Sequence, residues 1–280
     1  MNLTSPRELK FLLDKHGFNF TKSLGQNFLI DNNIVEKIVR EGNIEGENVL
    51  EIGPGIGTLT REMQKYAKKI VAIEIDEKLR PLLSETVGDF DNVNIIFSDV
   101  LKLDIKKVTE EEFGGESFKV IANLPYYITT PILINLLKSE ANISELIVMM
   151  QREVAERIVA NVGNKEYGSI SVFLKYFGDS KIVMHVPNTV FMPKPKVGSS
   201  VIKLTVNKEK KSQDINSLEK VLRAGFQMRR KTILNSLSSG LAIEKRDLKE
   251  VLESLGLKEN FRAENLTLED FLNLAEKLID

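Results

Sequence analysis

With 280 residues the chain can bury a large core and form about two domains. It has no Cys, which excludes disulfides, thiolate nucleophiles and Cys-containing zinc sites. The formal net charge of −1 hides an uneven distribution: residues 1–149 carry 17 basic against 23 acidic side chains (−6), residues 150–232 carry 16 against 7 (+9), and residues 233–280 carry 6 against 10 (−4). A positive middle third is the footprint of a phosphate-binding surface, although a solvated lysine face would give the same count. His16 and His185 lie far apart without metal-like spacing, so chemistry with neither a metal nor a covalent enzyme intermediate is expected. No apolar run approaches the ~20 residues needed to span a bilayer, and nothing resembles a signal peptide, so a cytoplasmic protein without a membrane partner is expected.

In chain order, residues 6–15 read as a helix, residues 22–29 as a loop and residues 33–40 as a second helix. Apolar runs at 48–52, 69–73, 93–97, 118–122 and 145–149 then alternate with helical patterns, for example at 58–67 and 130–137, which predicts an α/β fold with a parallel sheet covered by helices. Helical patterns at 153–161 and 170–177 precede two alternating runs at 182–186 and 201–206, joined by the Pro-rich link Met192-Pro193-Lys194-Pro195-Lys196. The polar stretch 207–213 has linker composition, and helical periodicity without strand signal continues to the end. The expected domains are therefore a sheet domain over 1–206 and a small all-α domain over 207–280.

Glu51-Ile52-Gly53-Pro54-Gly55-Ile56-Gly57 follows the first strand and opens a helix. Glycines let such a turn bring backbone close to a ligand. The G-x-G-x-G spacing differs from the G-x-G-x-x-G of dinucleotide binders, which counts against a nicotinamide-dependent dehydrogenase and favours a nucleoside without a pyrophosphate. Glu74 closes the second strand, where an acid accepts ribose hydroxyls, and Asp99 follows the third, where it can accept from an adenine amine. Singly, each acid reads as a solvated strand-end charge. Together with the turn they point to S-adenosyl-L-methionine, leaving S-adenosyl-L-homocysteine as product.

Asn123-Leu124-Pro125-Tyr126 ends the fourth strand, and open α/β sheets bind ligands at the carboxyl ends of their strands. The Asn123 side-chain carbonyl and a backbone carbonyl, of Leu124 or Pro125, can accept from an exocyclic amine, and Tyr126 offers a ring face. A plain turn with a buried Tyr is the competing reading.

Several segments occur in the order found in ribosomal RNA adenine N6-dimethyltransferases, which the chain resembles from about residue 23 onward. They are Ser23-Leu24-Gly25-Gln26-Asn27-Phe28-Leu29, the Gly53 to Gly57 turn, Ile73-Glu74-Ile75-Asp76, Asn123-Leu124-Pro125-Tyr126 and Phe191-Met192-Pro193-Lys194-Pro195-Lys196-Val197-Gly198-Ser199. Gln227-Met228-Arg229-Arg230-Lys231-Thr232 and Arg262-Ala263-Glu264-Asn265 look like the bacterial small-subunit branch, whose members modify two adjacent adenosines in 16S rRNA. Large-subunit methyltransferases of the macrolide-resistance type share the N-terminal motifs. The resemblance implies a Rossmann-like methyltransferase sheet with helices on both faces. It also implies that Asn27 and Leu29 contact the cofactor, that the turn at Gly53 and Gly55 lies against its methionine part, that Glu74 holds the ribose and Asp99 the adenine amine, and that Asn123 serves cofactor and target.

A flipped adenosine would then stack between Tyr126 and Phe191, with Tyr127 a packing residue. For Phe191 a core aromatic is the alternative. The expected partner is 16S rRNA in a partly assembled 30S subunit, held by a monomer through Arg152, Lys194, Lys196, Arg223, Arg229, Arg230 and Lys231. The rivals are a large-subunit rRNA methyltransferase and a non-catalytic ribosome-assembly factor.

Overall fold

The computed structural model describes residues 1–21, 24–207 and 214–279. Lys22 and Ser23, at the head of the expected N-terminal loop, and residues 208–213, most of the expected linker, lie outside the described residues. The chain divides into two compact units, Met1–Ala155 with Lys181–Val206, and Glu156–Ser180 with Asn207–Asp280.

The first unit begins with helix α1 (Pro6–Lys15), the two-residue strand β1 (Phe28–Leu29) and α2 (Asn32–Gly42). Asp31 caps α2 by accepting from the Ile34 amide at 3.1 Å, an arrangement worth about 1 kcal/mol. Alternation follows: β2 (Asn48–Ile52), α3 (Thr58–Met63), β3 (Lys69–Glu74), α4 (Arg80–Val87), β4 (Val93–Phe97), α5 (Ile105–Phe113), β5 (Phe118–Asn123), α6 (Thr129–Lys138) and β6 (Ile143–Gln151). After α7 (Arg152–Ile158) and α8 (Ser169–Phe177) come β7 (Gly178–Val186), β8 (Phe191–Met192) and β9 (Ser199–Val206). The main sheet runs β4-β3-β2-β5-β6-β9-β7. β4, β3, β2, β5 and β6 are mutually parallel, and β9 joins β6 antiparallel. Every residue of β2 is buried, as is all of β5 except Asn123, so helices must cover both faces, which explains the continuous apolar runs.

The sequence pattern carried α3 on to residue 67, but it stops at Met63. The Asn92 side-chain amide takes the carbonyls of Gln64 and Ala67, at 3.0 and 2.9 Å, and turns the chain into β3. In the loop read at 22–29, β1 pairs antiparallel with β8, Phe28 opposite Met192 and Leu29 opposite Phe191.

The second unit holds α9 (Ile215–Phe226), α10 (Ile233–Leu241), α11 (Lys245–Ser254) and α12 (Leu268–Ile279). It also takes residues 156–180, which differs from a sheet domain running unbroken to 206. The reason is local: the Tyr167 hydroxyl donates to the Leu266 carbonyl at 3.0 Å, and the Gly163 amide to that of Glu264 at 3.1 Å. The Tyr167 ring meets Phe226, which stacks on Phe271. Among the described residues no helix is long and apolar enough to cross a membrane.

Candidate functional site

β2 lies between β3 and β5, so the chain winds away from it in both directions, and a crevice opens beyond the carboxyl ends of β2 and β5. The cleft there is open to solvent on one side. Its walls come from residues 24–29, the turn after β2, the ends of β3 and β4, and residues 123–128.

In the turn, Gly53, Gly55 and Gly57 all have positive φ (70°, 62° and 83°). A Cβ on Gly57 would stand 2.7 Å from Val87 Cγ1, whereas one on Gly53 would meet nothing within 4 Å. Gly57 is thus glycine for packing, and Gly53 leaves open space on the cleft wall. Glu74 is buried, and its carboxylate accepts from the amides of Gly55 (3.1 Å) and Asp76 (2.9 Å), which fixes the turn to β3. Burial raises its pKa above the ordinary carboxylate value, and these amide bonds oppose the rise. Glu51, 1 % exposed, is pushed from 4.5 up to about 8, mainly by burial; the Thr60 hydroxyl, which donates to it at 2.5 Å, works against the shift. Thr58 Oγ1, also in the cleft wall, is buried without a hydrogen-bond partner.

Across the cleft, Asn123 ends β5 and its side-chain amide nitrogen donates to the Asn27 carbonyl at 3.1 Å. That bond fixes the orientation of the amide. Among the described residues no donor reaches Asn123 Oδ1 or the Leu124 carbonyl, whereas the Pro125 carbonyl accepts from the Ile128 amide (3.2 Å) and the Thr129 hydroxyl (3.0 Å). Tyr126 shares a 2.6 Å hydrogen bond with Ser199, so its ring is tethered at the hydroxyl, whose pKa burial raises.

Asn27, Leu29, Gly53, Gly55, Glu74, Asp99 and Asn123 all line this one cleft, together with Leu124, Pro125 and Tyr126. Asp99 also accepts from the Leu101 amide at 3.0 Å and faces Lys102 at 3.8 Å. Phe191 stands elsewhere. It is 3 % exposed, packed with Leu29, Val35 and Val186, and is not among the cleft-lining residues. Its strand pairs with β1, which turns the ring into the core, so in this arrangement it supports the cleft from behind and offers no second face to a base. Gln26, Glu51 and Thr58 were given no role in the sequence, and Tyr127, read there as packing, also lines the cleft. Gln26 ties the N-terminal loop to β3 by donating to Asp76 at 2.7 Å, a pairing between residues 50 positions apart that no local pattern signals.

The basic candidates divide between the units. Arg152, Lys194 and Lys196 in the first, and Arg223, Arg229, Arg230 and Lys231 in the second, are exposed, and among the described residues none has a carboxylate within 4 Å. Arg229 has a structural duty as well: it donates to the Lys165 carbonyl at 2.8 Å.

A family model described as "Ribosomal RNA adenine dimethylase" matches residues 17–280. The ribosomal RNA small subunit methyltransferase A of Alkaliphilus oremlandii is 46 % identical over 99 % of both chains. That of Clostridioides difficile is 44 % identical over 96 % of this chain and 94 % of its own. Among solved structures, a dimethyladenosine transferase from Plasmodium falciparum superposes with a TM-score of 0.76 at 27 % identity, over 88 % of this chain and 95 % of that one. The 23S rRNA methyltransferase ErmE shares the fold, with a TM-score of 0.68 at 24 % identity over 91 % of this chain and all of its own.

Proposed function

Since the chain belongs to the ribosomal RNA adenine dimethylase family, we propose that it uses S-adenosyl-L-methionine to dimethylate N6 of two adjacent adenosines in 16S rRNA of the small subunit. One observation carries this reading: Asn123 Oδ1 and the Leu124 carbonyl, both at the cleft, are acceptors without donors. The cleft also fits the cofactor, with open space at Gly53, an orphaned hydroxyl at Thr58, and Glu74 and Asp99 at the ends of adjacent strands. Asn27, Leu29, Gly53 and Gly55 would hold its methionine side, Glu74 the ribose and Asp99 the adenine amine.

Bound there, S-adenosyl-L-methionine supplies an electrophilic methyl group on a positively charged sulfur. The chain's own residues do the rest by positioning. Adenine N6 is a poor nucleophile because its lone pair is delocalised into the ring. Asn123 Oδ1 and the Leu124 carbonyl would accept the two amine hydrogens, favouring a pyramidal nitrogen whose lone pair is free to attack. Since the Pro125 carbonyl already has two donors, Leu124 is the better second acceptor. Tyr126, anchored through Ser199, would stack on the flipped base. Asn123 cannot act as a base, so the amine proton would leave to water.

The exposed basic residues of each unit support phosphate contact, which gives affinity without sequence information. Specificity would come from the shape of a partly assembled 30S subunit. We place the protein in the cytoplasm as a monomer. To test the reading, the protein is incubated with labelled S-adenosyl-L-methionine and undermethylated 30S particles, 50S particles or free rRNA, and the product is mapped by mass spectrometry. Two adjacent dimethyladenosines in 16S rRNA are expected. Label confined to 23S rRNA would make it a large-subunit enzyme, and no label at all would leave a role in assembly alone.

A further inference from the structure

An aromatic ring spans the mouth of the cleft. Tyr127, next to the proposed base-stacking Tyr126, is 52 % exposed yet lines the cleft. Its ring reaches Gly25 on the facing wall, where a Cβ would lie 3.3 Å from Tyr127 Cδ1 and 3.7 Å from Cε1. Gly25 also has φ of 60°, which favours glycine here. The same two segments are joined a second time by the hydrogen bond from Asn123 to the Asn27 carbonyl. Residues 24–27 are therefore tied to residues 123–127 by a hydrogen bond at Asn27, and the Tyr127 ring lies over the side-chain-free face of Gly25.

Partial burial raises the pKa of the Tyr127 hydroxyl, and the negative charges of Asp99 and Glu74 raise it further, so the ring lies near the acids that mark one end of the cleft. Among the described residues no hydrogen bond holds that hydroxyl, so the contact is made by the ring. A van der Waals contact of a ring with a glycine is individually weak.

We propose that Tyr127 and Gly25 form a clasp over the cofactor cleft that sets how fast the demethylated cofactor leaves. The proposal rests on the reading of this cleft as the S-adenosyl-L-methionine site. Its functional meaning follows from stoichiometry. Two methyl groups go to one nitrogen and each cofactor molecule carries one, so S-adenosyl-L-homocysteine must depart and a fresh cofactor enter before dimethylation is complete. A closed cleft aligns the reacting groups, and the clasp must open between the two transfers. Tyr127 is in these terms a positioning residue acting on cofactor exchange.

The test measures dissociation of S-adenosyl-L-homocysteine from the full-length protein without RNA, by stopped-flow competition. Tyr127→Ala is expected to raise the dissociation rate about three- to tenfold, the equivalent of one lost aromatic contact. Its melting temperature without cofactor should stay unchanged, because the ring is half exposed. Tyr127→Phe should dissociate like the intact protein. An unchanged rate in Tyr127→Ala, or equal acceleration in Tyr127→Phe, overturns the clasp. Failure of the intact protein to bind S-adenosyl-L-methionine in calorimetry instead overturns the reading of the cleft, and the clasp with it.

Discussion

The two ends of the central sheet carry hollows of opposite character. At the amino ends of the strands, a hollow of about 650 Å³ is lined by Asn48, Lys68, Lys69, Asn92, Glu112 and Glu116. There Lys68 and Asn48 both bind Glu116, Lys69 and Asn94 bind Glu112, and Asn92 caps the end of α3. At the carboxyl ends the cleft keeps two acceptors, Asn123 Oδ1 and the Leu124 carbonyl, and one hydroxyl, Thr58 Oγ1, without partners. Buried polar groups are normally satisfied, so the orphaned Thr58 hydroxyl is informative, and the half-buried Asn123 leaves its Oδ1 open to a ligand. Polarity alone does not mark a binding site, since the amino-end hollow is lined by charged side chains as well. The groups left without a partner are what favour the carboxyl-end cleft as the proposed site.

Three substitutions would break or sharpen this contrast. The largest effect is expected at the carboxyl end: Asn123→Ala should lower kcat by about 10²–10³-fold, the usual loss when one preorganised hydrogen-bonding group is removed from the reacting centre. Cofactor binding should remain measurable, and single-turnover methylation of undermethylated 30S particles near the intact rate would refute the role. Next comes Glu51→Gln, at the same end. The folded protein holds the Glu51 proton up to about pH 8, but the unfolded chain only to about 4.5. The folded state therefore binds more protons between these values. Stability contributed by this group is full below pH 4.5 and is lost as pH rises toward 8, at no more than about 1.4 kcal/mol per pH unit. Glu51→Gln can keep the Thr60 hydrogen bond and should flatten that slope; parallel melting curves from about pH 5 to about pH 9 would contradict it. The smallest effect belongs to the amino end, where Lys69→Met breaks a half-exposed ion pair and should cost less than about 1 kcal/mol of stability. Turnover should not change, and a loss comparable to that of Asn123→Ala would erase the distinction between the two ends.

How much of this was legible in the sequence depended on how local the cause was. The apolar runs of β2, β3 and β5 announced buried parallel strands, and the glycine turn announced itself because its three positive-φ positions favour glycine. Asn123 was readable as a strand-end residue because Pro125, which cannot donate to a ladder, follows it closely. What sequence distance concealed was the choice among chemically equal candidates. Leu124 and Pro125 both offer a carbonyl, and only Thr129 and Ile128, folded back on Pro125, separate them. Phe191 is an aromatic beside a Pro-rich turn under either reading, and its pairing with Leu29 decides that it points into the core. The helical patterns at 153–161 and 170–177 read alike in any context; the bonds of Gly163 and Tyr167 to Glu264 and Leu266 assign residues 156–180 to the helical unit. Tyr127, taken as packing, does pack, but against a glycine on the opposite wall of the cleft.

The two-residue pairing of β1 with β8 also bears on synthesis. The segment that delivers Asn27 and Leu29 to the cleft is anchored by residues that leave the ribosome about 160 positions later. A growing chain that has reached Val190 already holds the glycine turn, Glu74, Asp99 and Asn123, but nothing yet pairs with Leu29. Closing so long a loop costs entropy that the rest of the sheet must offset first. Cofactor-binding competence should therefore arrive late in folding, after the parallel strands have assembled.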